Sequence, residues 1–238
     1  MRIDIQPYYL FLFTIVFALF TITGTLSHEY GHIVVAKYFG YETTLHYGSM
    51  TFERNDGYSD YETIYAEYKH EIKNDIPFPK KTEFSRLLKR LEFESFLISI
   101  GGPTQTIFTG LFGLFTLFLR RKPIQNTGLK LLDWLSIFLS LFWLREVFNL
   151  AVSIASGLFN GTGVFFAGDE AKISKYLELP IGTVPIVLGT IGLTTSILII
   201  FKVIPIKLRL TFIVSGLIGG IAGFILWMKI LGPIVLPC

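Results

Sequence analysis

Five long, predominantly apolar stretches constrain this chain more than anything else in its sequence. A run of about 20 apolar residues is long enough to cross the hydrocarbon layer as a helix. Inside that layer each backbone N–H and C=O must find its partner within the protein, so a helix is the form such a run takes. The stretches cover residues 8–39, 91–119, 131–156, 181–201 and 210–230. They predict an all-α integral membrane protein of about five transmembrane helices. A small membrane-associated β segment and an amphipathic helix are predicted after the first span. Residues 1–180 read as a membrane core with polar loops at 41–90 and 157–180, and residues 181–238 as two accessory transmembrane helices.

Composition narrows the partners. The 238 residues are 51% hydrophobic, which leaves little room for a separate soluble domain. A net charge of +3, carried by basic residues in short loops, reads as a topology signal and contact with the lipid bilayer, not as nucleic-acid affinity. The one cysteine, Cys238, excludes an intrachain disulfide and a cysteine-built metal site. Arg2 and the small residues Thr23-Gly24-Thr25 flank the first apolar run as in a signal peptide. Cleavage there would strip the following histidines of their helix, so the run is read as a retained span.

Near the end of that run stands His28-Glu29-Tyr30-Gly31-His32. Helical positions four apart lie about 40° and roughly 6 Å from each other, so His28 and His32 can grip one metal ion. Glu29 falls on the neighbouring face, beside the metal, where a carboxylate can take a proton from metal-bound water. Catalytic zinc takes three protein ligands, so a third is required. Asp169, in a glycine-rich segment, is the first choice, with Glu146 and Glu170 as alternatives. Asp169 also suits the N-cap of a short surface helix over residues 170–179. His46 is a further candidate ligand or donor, although a histidine in a surface strand is more often neither.

The remaining segments frame these residues. Thr43 to Phe52, interrupted by Gly48, predicts a short strand or hairpin; Asn55-Asp56-Gly57 reads as a turn. Tyr61, Ile64, Tyr65, Tyr68 and Ile72 recur at helical spacing, and Pro77 and Pro79 end that helix. In the second span Gly101-Gly102-Pro103 predicts a kink or a close helix contact, and Arg120-Arg121-Lys122-Pro123 closes it. The third span carries Arg145, Glu146 and Asn149. Arg145 and Glu146 are sequence neighbours and cannot face each other on a helix, so each needs another partner.

The chain resembles the site-2 protease family of intramembrane zinc metalloproteases. The resemblance rests on His28-Glu29-Tyr30-Gly31-His32 continuing as Ile33 to Gly40, on Gly101-Gly102-Pro103, and on Asp169 at the place of the family's aspartate. It covers the first three spans and their loops, to about residue 180. Glycine precedes Asp169 where the family has it after, and Thr106 stands where an asparagine usually follows the Gly-Pro element.

The resemblance implies a Zn2+ cofactor held by His28, His32 and Asp169, with Glu29 as general base. The implied substrate is a membrane protein or peptide cut in or next to a membrane-spanning segment. Asn149 or Asn160 is the candidate oxyanion or substrate donor, and the Thr43 to Phe52 region could offer a strand edge to an extended substrate. The alternative is a non-catalytic membrane protein using a structural metal or polar cluster for helix packing or partner binding. The basic loops after spans two and four place themselves and the N-terminus in the cytoplasm. The resemblance instead implies a cytoplasm-facing metal site in a multi-pass protein of the cell membrane, and the expectation follows it.

Overall fold

The computed structural model describes residues 4–53, 56–159 and 165–236. Asn55, Asn160 and Cys238 lie outside the described residues. About 81% of the structure is helical. In chain order come α1 (Pro7–Tyr38), the hairpin β1 (Glu42–Leu45) and β2 (Met50–Glu53), α2 (Asp56–Glu67), α3 (Lys69–Lys73) and α4 (Lys81–Thr127). Then follow α5 (Leu131–Ser140), α6 (Leu144–Phe159), α7 (Asp169–Tyr176), α8 (Thr183–Leu198), α9 (Ile206–Leu226) and α10 (Gly232–Val235). Five helical stretches are long and apolar enough to cross a membrane: Pro7–Tyr38, Lys81–Thr127, Leu131–Phe159, Thr183–Val203 and Ile206–Val235.

One aromatic cluster organises one end of the bundle. Phe13 and Phe17 of α1, Phe138 of α5 and Phe212 of α9 are all buried. Phe17 meets Phe138 and Phe212 edge-on, each at 5.0 Å between ring centroids. Such pairs are worth about 0.5–1.5 kcal/mol beyond the area they bury. Beside this cluster α9 closes on α1 through small residues. A Cβ at Gly219 would strike the Thr14 carbonyl, and one at Gly223 would strike Ala18. The last long helix is therefore packed directly against the histidine-bearing one.

Several boundaries differ from the sequence reading, for identifiable reasons. The second span extends into one 47-residue helix, with Pro103 and Pro123 inside it. Arg120-Arg121-Lys122-Pro123 does not close it, because Arg120 Nε stays in register to donate to Asp133 Oδ1 of α5 at 2.5 Å. The helix stops instead at Gly128, whose φ of 77° glycine adopts without penalty. Asp133 also accepts from the Lys130 backbone N–H at 2.8 Å, satisfying one free donor at the start of α5.

At Gly101-Gly102-Pro103 the structure shows the close helix contact within an unbroken α4. The third span is interrupted by a single 3₁₀ turn, Leu141–Trp143. Asp56 and Gly57, read as part of a turn, belong to α2. The amphipathic helix after the hairpin comes in two pieces, α2 and α3, and ends at Lys73, before Pro77.

The hairpin pairs Thr43 with Phe52 and is fixed at both ends. Tyr41 donates its hydroxyl to the buried Glu94 of α4, which also accepts from Arg90 at 2.8 Å. Trp227, just past α9, donates its indole N–H to the Tyr47 carbonyl at 2.6 Å.

The α1–α4 crossing generates a prediction. Gly31 and Gly101 face each other so closely that a Cβ on either would overlap the other's carbonyl. Gly101→Val should lower the thermal midpoint of the detergent-purified chain sharply, by more than the roughly 1–3 kcal/mol usual for core overpacking, because the obstacle is backbone. Gly220→Ala, with nothing within 4 Å of its added Cβ, should leave the midpoint nearly unchanged and serves as the control.

Candidate metal centre

Two histidines one helical turn apart on α1 point at α4. Ile98, Gly102 and Thr106 of α4 are spaced by four and present one face to them. His32 Nδ1 lies 2.6 Å from the Ile98 carbonyl oxygen, and His28 Nδ1 lies 3.0 Å from Thr106 Oγ1. Gly102 sits between these two contacts, where an added Cβ would overlap the Nε2 atoms of both rings. The absence of a side chain there leaves both Nε2 atoms accessible. Both rings are buried, at 1% and 5% exposure, so neither nitrogen can rely on bulk water.

Asp169 completes the group as the first residue of α7. Its Oδ2 lies 3.1 Å from His32 Nε2 and 3.5 Å from His28 Nε2. The three donor atoms all fall within 4.8 Å of one another. Two ligand atoms bonded tetrahedrally to one zinc at about 2.0–2.1 Å are separated by roughly 3.3 Å, close to both His–Asp distances.

The proton inventory makes the same point. His32 Nδ1 lies 2.6 Å from the Ile98 carbonyl, which only accepts, and 3.2 Å from the Gly102 N–H, which only donates; the shorter contact to the carbonyl places the proton on Nδ1 and, in the neutral ring, a lone pair on Nε2. That lone pair faces a carboxylate oxygen at 3.1 Å. Two acceptors at that distance need a positive species shared between them, either a proton on the ring or a metal ion. Burial works to raise the pKa of Asp169, but the His28 and His32 contacts outweigh it and hold the carboxyl well below the usual carboxylate range.

α7 is held in place by several neighbours. Gly168, at φ 88°, turns the chain into it. Tyr176 stacks on Phe96 of α4 with ring centroids 3.9 Å apart. Ser174 Oγ accepts from the Val184 backbone N–H at 3.1 Å, tying α7 to α8. Asn149 of α6 donates to Glu170 Oε1 at 3.0 Å. The N-cap position belongs to Gly168, which frees the Asp169 carboxylate for the histidines and, through Oδ1, for Lys172 at 3.1 Å.

The other residues singled out by sequence fall as follows. Glu29 is buried beside the pair, and its Oε1 lies 3.7 Å from Arg145 of α6. Glu146 and Glu170 are buried next to each other and stand outside the His28-His32-Asp169 group. Asn149 is engaged by Glu170. His46 is in the hairpin turn, 3.0 Å from Thr51 Oγ1, and is not part of the group. The sequence reading does not include Thr106, Gly102 and the Ile98 carbonyl as supports for the imidazoles; their spacing by four around Gly-Pro is the signal that points to them.

No protein-family model, no curated protein and no solved structure matches the chain. The centre is therefore read from its own chemistry: a buried His-His-Asp group competent to hold a metal ion.

The supports of the imidazoles can be tested separately from the ligands. Thr106→Val removes the partner of His28 Nδ1 with little change of volume. Metal affinity should fall about 10- to 100-fold in competition titrations against a chelator, with the helical circular dichroism unchanged. Gly102→Leu should abolish binding altogether.

Proposed function

We propose that the chain is a multi-pass membrane protein and a zinc metalloendopeptidase of site-2 protease type, cutting peptide bonds in or next to membrane-spanning segments. The observation carrying this reading is the His28-His32-Asp169 group with Glu29 buried beside it on the same helix. Ionisable groups in an apolar span are costly and are kept where they face a partner, a cavity or an ion. Two imidazoles and one carboxylate make the three-ligand set of a catalytic zinc site, whose remaining position is open to water or substrate. Bound there, zinc would act as a Lewis acid and lower the pKa of a water molecule into the neutral range.

The chain's own residues carry the proton chemistry. Glu29 takes a proton from the attacking water as its oxygen bonds to the peptide carbonyl carbon. It then delivers that proton to the amide nitrogen as the C–N bond breaks, so the products are a carboxylate and an amine. Arg145, 3.7 Å from Glu29 Oε1, is the cationic neighbour of that carboxylate. Thr106 and Ile98 hold the imidazole planes, which fixes where the carbonyl is presented. Because a helix conceals its amides, the substrate must unwind before attack; the hairpin is the available strand edge.

A second reading draws on the same Glu29–Arg145 pair: the carboxylate could serve as a packing charge in a non-catalytic metal protein. One variant separates the two. Glu29→Gln should retain bound zinc while cleavage of membrane-derived peptides, read by mass spectrometry, falls at least about 100-fold. Retained cleavage contradicts the proposed chemistry. A zinc-loaded parent that cuts nothing favours the non-catalytic reading.

A further inference from the structure

Beside the metal centre lies a second pair of buried acids that the proposed chemistry does not use. Glu146 of α6 and Glu170 of α7 are 2% and 3% exposed and lie next to each other. Asn149, three positions after Glu146 and so on the same face of α6, donates to Glu170 Oε1 at 3.0 Å. That contact turns the face carrying Glu146 towards Glu170. Both oxygens of the Glu146 carboxyl are buried, and neither has a hydrogen-bond partner among the described residues. The Glu170 carboxylate beside them brings further acceptor oxygens and no donor.

The cationic side chains nearby are committed elsewhere. Arg145 pairs with Glu29 and Lys172 with Asp169, and among the described residues neither makes an ion pair with Glu146 or Glu170. Two buried carboxylates side by side need a positive species between them. A proton shared by the pair engages one oxygen of Glu146 and leaves the other without a partner. A cation held on the edge of the carboxylate engages both. The donors here are oxygens alone, which selects a hard ion, and two carboxylates match the charge of a divalent one. Magnesium-like ions are held by one or two carboxylates, with water in their other positions. Asn149 then orients the Glu170 ligand from outside.

We propose that Glu146 and Glu170 form a second cation site, for a hard divalent ion, that ties α6 to α7 and holds Asp169 towards the histidines. Asp169 and Glu170 are consecutive at the start of α7, so anchoring one carboxylate fixes where the helix presents the other. The two sites differ in donor type: imidazole suits zinc, and an all-oxygen set suits a magnesium- or manganese-like ion. The second site stands whether or not the chain cuts peptides. Glu146 and Glu170 are positioning residues for the first metal, so losing the second ion weakens zinc binding without removing a zinc ligand. By linkage, each metal raises the affinity of the chain for the other.

The test uses the full chain in detergent, loaded first with zinc, which manganese displaces poorly from nitrogen ligands. Mn2+ is the probe, because the paramagnetic resonance signal of the free ion falls as it binds. The zinc-loaded parent should take up about one Mn2+ per chain, a result read without any variant. Glu146→Gln and Glu170→Gln should each weaken that uptake at least about tenfold, with the helical circular dichroism unchanged. His28→Ala, which gives up the zinc, should still bind Mn2+. Saturating Mn2+ should raise the zinc affinity of the parent about fivefold or more against a zinc-selective chelator, and leave that of Glu146→Gln unchanged.

No Mn2+ uptake by the zinc-loaded parent overturns the site and leaves the two carboxyls sharing a proton. Uptake that both glutamine variants retain puts the ion elsewhere and overturns it too. Uptake lost with His28→Ala does the same, because the ion then sits on the imidazoles. Mn2+ bound with no change in zinc affinity keeps the site and overturns its positioning role. None of these readouts uses peptide cleavage, so the hydrolase reading stands or falls separately.

Discussion

The contact between Gly31 and Gly101 is the constraint on which the rest of the structure depends. With side chains absent from both residues, the backbones of α1 and α4 approach within direct contact. Only at that separation does Gly102 reach the two imidazoles, Ile98 the Nδ1 of His32, and Thr106 the Nδ1 of His28. Close approach therefore converts two histidines on an apolar helix into a pair with fixed rotation and paired Nδ1 atoms. A centre built this way gains its precision from rigid helix backbone, with only the third donor coming from a shorter element.

That third donor shows how polar chemistry is supported in an apolar setting. Asp169 is delivered by an eight-residue helix, too short to be stable alone, and each of its neighbours contributes one restraint. Phe96 stacks on Tyr176, Val184 donates to Ser174, and Asn149 binds Glu170. The buried Glu146 and Glu170 and the half-buried Arg145 stand around the centre. Arg145 finds in Glu29 the partner that sequence adjacency denied it, whereas Glu146 lies beside a second carboxylate, that of Glu170.

Much of this was legible in the sequence where the signal is local. Apolar run lengths gave the five long helices, and the four-residue spacing of His28 and His32 gave a shared face. Gly40, at φ 81°, stands two residues past the end of α1, a local glycine stop of the kind a sequence displays. Asp169 was reached by its setting in glycine-rich chain beside a span, but its N-cap role went to Gly168. What escaped was set by tertiary contact. The length of α4 past Arg120 depends on Asp133, a residue in another helix. The division of the third span at Leu141–Trp143 follows no local breaker, and the physical cause of that 3₁₀ turn is not evident in the sequence. The pairing of Glu29 with Arg145, separated by more than a hundred positions, carries no local signature at all.

The central claim is that His28, His32 and Asp169 hold one metal ion. The most direct measurement is zinc per chain in detergent-purified protein prepared without chelator, for the parent, His28→Ala, Asp169→Ala and Glu146→Ala. The account predicts about one zinc in the parent, its loss with His28→Ala and Asp169→Ala, and its retention with Glu146→Ala. A folded parent without zinc, or loss with Glu146→Ala and retention with Asp169→Ala, would contradict it.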